Sequence, residues 1–222
     1  MLSANASWPI SARRHYVTAS HLLPLIRAIA SPSDATALHR LAADAQLALE
    51  AVSVGASRQR AKPFYLKAIG HYVYAGDTAL HIAAAGYRAR IVRELITLGA
   101  DPRARNRRGA TPLHYAADGS PGSSHWNPNA QAAVIELLVR AGAEPNATDK
   151  SGVAPLHRAV RTRCAAAVRA LLALGADPYL SNGNGSTPRD LALHATGRGG
   201  SGSPLARAQR AEILQLLDEH HA

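Results

Sequence analysis

The chain has 222 residues, 47% of them hydrophobic and 18% charged, the makeup of a folded domain or an extended array of repeats and not of a disordered chain. A lone cysteine, Cys164, excludes an internal disulfide framework and a cysteine-rich zinc site, and the sequence lacks the run of about 18 apolar residues that a membrane helix needs. The net charge of +10, from 25 Lys plus Arg against 15 Asp plus Glu, favours acidic partners.

Aromatics make up only 5%, with one Phe and one Met, so a core must be assembled from Ala, Leu, Val and Ile. Such a core suits thin layers of closely packed helices. Arg13 and Arg14 precede no apolar segment of the kind a secretory signal requires. Lys occurs only at positions 62, 67 and 150, so most positive charge is carried by the forked donors of Arg, which match carboxylates and phosphates.

In chain order, residues 1–33 read as an extension with a short helix around 21–30. Thr36-Ala37-Leu38-His39 then opens a degenerate first unit, about 34–56. Thr78-Ala79-Leu80-His81 recurs 33 residues later as Thr111-Pro112-Leu113-His114, again as Ala154-Pro155-Leu156-His157, and after another 33 as Thr187-Pro188-Arg189-Asp190. The single longer interval, 43 residues from Thr111 to Ala154, is the same period carrying a ten-residue insertion. Gly99-Ala100-Asp101, Gly142-Ala143-Glu144 and Gly175-Ala176-Asp177 each close an apolar helical run. Thr caps the first helix of a unit, Pro is preset for the first helical turn, and Gly supplies the left-handed residue that ends the second. The expected units are 77–109, 110–152, 153–185 and 186–219, the last ending in the polar Asp218-Glu219-His220-His221.

A fixed period with Thr-Pro-Leu-His-x-Ala and a closing Gly-Ala-Asp resembles the ankyrin repeat. The resemblance spans roughly residues 34–219 and implies an all-α solenoid of stacked helix pairs with β-hairpin-like fingers. Each unit buries its apolar face only by stacking on its neighbours. The resemblance also implies that His39, His81, His114 and His157 are structural, bonding backbone and Thr hydroxyls. It implies a protein-binding module as well, whose partner-facing positions fall at the finger tips and at the end of each first helix.

This chain departs from the family pattern in two ways. Tyr87-Arg88 and Arg163-Cys164 stand where Gly-His is usual, so those turns are expected to close differently. Three insertions, about 57–74, 118–129 and 196–203, lengthen the connections. The first interleaves Arg58, Arg60, Lys62 and Lys67 with Phe64, Tyr65, Tyr72 and Tyr74. The second carries His125-Trp126, and the third places Arg198 among glycines. The second and third insertions are expected on the edge opposite the fingers.

No catalytic motif, Walker loop or dinucleotide fingerprint is present, and no cofactor or metal is called for. Cys164, flanked by Arg161 and Arg163, reads as inert or, with its pKa lowered by those charges, as a reactive thiol. The expected partner is another protein with an acidic surface, bound by a monomer through Tyr74, Asp77, Arg105, Arg107, Arg108, Lys150 and Arg161. An alternative is an anion or small-ligand receptor around His125, Trp126, Arg161, Arg163 and Arg198. A nucleic-acid binder, which the charge permits, lacks a recognisable base-reading element. The lone thiol and the missing signal point to a bacterial cytoplasm, with a secreted effector as the other possibility.

Overall fold

The computed structural model describes residues 21–194 and 203–220. Ten α-helices occur among them: α1 (Leu22–Ala30), α2 (Ala35–Ala43), α3 (Ala79–Ala85), α4 (Ala89–Thr97), α5 (Pro112–Ala117), α6 (Pro128–Arg140), α7 (Pro155–Arg161), α8 (Ala165–Ala173), α9 (Pro188–Leu193) and α10 (Pro204–Asp218). An inner row forms as α1, α3, α5, α7 and α9 pack in sequence, and α2, α4, α6, α8 and α10 form an outer row. The core runs between the rows as one continuous apolar cluster, rich in Ala and Leu, which lets short helices approach closely.

The motif histidines hold this stack together. His81 Nδ1 accepts the Thr78 amide at 3.2 Å, and Nε2 donates to Ala110 O of the next unit at 3.1 Å. His114 repeats the pattern with the Thr111 amide and Val153 O, and His157 with the Ala154 amide and Ser186 O. Each ring is neutral and protonated on Nε2, and each links its own cap to the following finger. In the last unit Asp190 replaces His, and its carboxylate accepts the Thr187 amide and hydroxyl.

The first unit differs from its expected register. Thr36-Ala37-Leu38-His39 lies inside α2, in the outer row, and both Thr36 and His39 are exposed. The inner place belongs to α1, which buries Leu22, Leu25, Ile26 and Ile29, whereas α2 buries only Ala37 and Leu41. The more apolar segment wins the position packed on α3. The neighbouring turns are joined by an ion pair between Asp34 and Arg88, and a 3₁₀ turn (Ala45–Ala48) follows α2.

Successive fingers are laced by backbone bonds. Arg107 N donates to Ala75 O, Lys150 N to Arg108 O and Gly183 N to Ser151 O, at 2.8 to 3.0 Å. Asn106, Asp149 and Asn182 close the finger turns by accepting amides two and four residues ahead. The first insertion folds into two 3₁₀ turns and a small antiparallel hairpin of β1 (Tyr65–Leu66) and β2 (His71–Tyr72), pairing Tyr65 with Tyr72.

Candidate functional site

Tyr87 and Arg163 occupy the position between the two helices of a unit where the family pattern has Gly. They close those turns in the same left-handed way, at φ 54° and φ 60°, and not by another route. A side chain in that conformation costs on the order of 1 kcal/mol against Gly. Tyr87 is secured by its own hydroxyl, which donates to Asp118 O at 2.6 Å. Arg163 is 5% exposed, and its guanidinium finds no hydrogen-bond or ion-pair partner among the described residues.

Arg163 forms part of the wall of a cleft of about 580 Å³ on the inner-row face. The fingers contribute Tyr74 and Arg108, α7 contributes Arg158 and Arg161, the turn after it Arg163, and α10 contributes Arg210. Against these five guanidinium groups stands one lining carboxylate, Asp118. Tyr115 and His71 supply an aromatic floor, their rings 4.3 Å apart.

Arg158 is the buried member. It takes the place after the motif His where Ile82, Tyr115 and Leu191 stand in other units, and it is 8% exposed. Its two terminal nitrogens donate to Asp118 and Asp149 at 2.9 Å each, while Nε has no partner. Burial disfavours its charge, but the two carboxylates outweigh burial and raise its pKa further. Asp149 responds in kind: burial works against its charge, yet the Arg158 hydrogen bond and the Ser151 amide hold its carboxyl below the ordinary value. Arg161 is half exposed and reaches Asp118 only at 3.9 Å. Arg210 donates to Ala192 O and Leu193 O, covering open carbonyls at the end of α9.

Several expected site residues lie elsewhere. Asp77 is fully buried and not at a finger tip. Its carboxylate accepts the Tyr74 amide at 2.7 Å, Asn106 Nδ2 at 2.8 Å and the Tyr115 hydroxyl at 3.1 Å. Desolvation nevertheless pushes its pKa up to about 7. Trp126 does not line the cleft with the arginines. Its ring is half buried on the core, and Nε1 donates to Gln131 Oε1 at 2.9 Å. Gln131 in turn donates to Ala116 O, tying the second insertion to the end of α5. A ring with an internal partner for its one donor acts as the anchor of its own loop.

His125 is exposed, 3.3 Å from Ser123 Oγ. A Cβ built on Gly70 would come within 3.0 Å of His125 Nε2, so the second insertion touches the first. Gly70 suits this place because it combines that approach with φ 62°, a conformation strained for a residue with a side chain. Cys164 is buried, and burial pushes its thiol up to about 11, against the expectation that neighbouring arginines lower it. Arg198 lies outside the described residues.

Arg105, Arg107, Arg108 and Lys150 are exposed along the fingers. Arg107 and Arg108 sit over the Tyr74 ring, 5.7 and 5.1 Å from its centroid, and Arg107 also donates to Ala56 O. Arg105 is bound to Gly109 O and Thr148 O. Sequence reasoning missed Arg158, Arg210, Tyr115 and His71. The signal for Arg158 was a charge at an otherwise apolar motif position. Arg210 had none, because its place depends on how α10 folds back on α9.

Comparison with known families agrees with this architecture. A model described as ankyrin repeats (3 copies) matches residues 51–125, one for a single ankyrin repeat matches 108–150, and one for ankyrin repeats (many copies) matches 138–192. The protein belongs to the ankyrin repeat family, whose members are typically non-catalytic protein-interaction modules. No curated protein matches the chain.

Proposed function

We propose that the protein is a non-catalytic interaction module that holds an acidic segment of a partner protein in the inner-row cleft. The observation that carries this reading is the imbalance of five guanidinium groups against one lining carboxylate. Arg107, Arg108 and Lys150 on the fingers extend the same charge beyond the cleft mouth. Such a field raises the rate of encounter with an anionic surface and rejects basic ones. The floor is prebuilt by the Arg158 ion pairs and the Asp77 network, so little ordering is required on docking.

Among the described residues, no group of His, Cys, Asp or Glu is arranged to hold a metal, and none of their helices is long and apolar enough to cross a membrane. The test is capture of the partner from the native host with the wild-type protein and with the Arg108→Glu/Arg161→Glu double variant. Both side chains are exposed, so the variant is expected to keep its melting temperature and to lose a stoichiometric protein partner. Equal retention of the partner by both baits, or retention of nucleic acid alone, overturns the reading.

A further inference from the structure

The cleft contains one feature that a general attraction to acidic segments does not explain. Arg163 combines a left-handed backbone, near-complete burial and a guanidinium with no partner among the described residues. Glycine would close this turn without strain. The Arg163 stem is packed away while its guanidinium lines the cleft without a partner among the described residues, an arrangement that fits a position whose partner arrives from outside. Arg161, two residues earlier, has Asp118 only at 3.9 Å, and Arg158 contributes a buried Nε that also lacks a partner. These three residues, at the end of α7 and in the turn after it, line one cleft that Arg108 enters from the finger side.

Resting on the reading of the cleft as a partner-binding site, we infer that the end of α7 forms a subsite for a phosphate monoester carried on the partner protein, held by Arg161 and Arg163 and backed by Arg158. Stoichiometry of charge and donors decides for phosphate over carboxylate. A carboxylate brings one negative charge and two oxygens, enough for a single fork. A phosphate monoester brings a charge of about −1.5 to −2 and three terminal oxygens, enough to occupy Arg161 and Arg163 together. Asp118 is already engaged by Arg158 at 2.9 Å, which leaves the Arg161 and Arg163 guanidinium groups to the ligand. The cleft volume of about 580 Å³ holds a phosphorylated side chain with its neighbours, and the Tyr115 and His71 rings give its carbon atoms an apolar floor.

The subsite is tested by calorimetric titration with phenyl phosphate, inorganic phosphate, benzoate and acetate. Phenyl phosphate is expected to bind at least about tenfold tighter than benzoate. Arg163→Gly removes the guanidinium and suits the left-handed turn, so it is expected to keep or raise the melting temperature while weakening phenyl phosphate by about tenfold or more. Equal binding of benzoate and phenyl phosphate overturns the phosphate subsite and leaves the acidic-partner reading standing. Phosphate binding that survives Arg163→Gly overturns the assignment to these residues. The source is decided by treating the captured partner with phosphatase: loss of retention supports a phosphorylated protein. Retention that is indifferent to phosphatase, while free phenyl phosphate still binds, overturns the protein-borne source in favour of a small phosphate ester.

Discussion

Replacing Asp149 by Ala is expected to lower the unfolding free energy, measured by urea denaturation, by about 3–5 kcal/mol. The carboxylate serves two structures at once. Oδ2 accepts from Arg158 at 2.9 Å, and Oδ1 accepts the Ser151 and Val153 amides that close a finger. Its removal leaves a guanidinium that is 8% exposed with Asp118 as its remaining carboxylate. Arg158→Met also removes one member of the pair, but it is expected to cost less, because both carboxylates it leaves behind have other partners. Asp149 then keeps its two amide donors, and Asp118 still has Arg161 within reach. A loss below about 1 kcal/mol for Asp149→Ala would place the interaction among solvated surface pairs and contradict a prebuilt cleft floor.

Two buried groups are expected to give stability opposite dependences on pH. His114 is held at about 4 against its ordinary 6.5, because its site is desolvated and Arg158 lies nearby. The unfolded chain therefore takes up a proton that the fold refuses, and the His114 contribution, complete above about pH 6.5, is lost as pH falls towards 4. Burial also lowers the pKa of His157, which adds in the same direction. Asp77 behaves in reverse, at about 7 against 3.8. Its contribution is complete below the unfolded value and is lost as pH rises through 7. Between about pH 7 and pH 5 each amounts to about 2 kcal/mol, so in the wild type they largely cancel. Asp77→Ala is expected to expose the His slope, losing about 2 kcal/mol relative to wild type on going from pH 7 to pH 5, beyond any constant cost of the substitution. His114→Gln is expected to show the opposite slope. Parallel stability profiles for the three proteins would contradict the burial of both groups.

The repeating part of the fold was legible because its physics is local and recurs. Thr caps, Pro first turns and closing glycines each act within a few residues, and a period of 33 places them in register. The first unit was misread for the same reason. Thr36-Ala37-Leu38-His39 carries the local motif, yet α1 is the more apolar segment and takes the inner row. At Tyr87 and Arg163 the sequence showed that glycine was missing but not that another residue would accept its backbone angles.

The site was harder to read, because it depends on what the insertions do in three dimensions. Trp126 and the arginines are close in motif position, but Gln131 draws the indole onto the core and away from the cleft. Asp77 sits beside a finger glycine and reads as exposed. The Asn106 amide, at the far end of its own unit, and the Tyr115 hydroxyl, from the next, instead enclose it. Arg158 and Arg210 enter the site only through packing between units, which a single repeat does not encode.

The central claim, that the cationic cleft and its fingers receive an acidic partner, is tested most directly by the association rate of the captured partner at low and high ionic strength. The wild type is expected to associate fast at low salt and to slow steeply as salt rises, while Arg107→Glu/Arg108→Glu associates slowly at both with its melting temperature unchanged. An association rate that is the same for both proteins and indifferent to salt would contradict it.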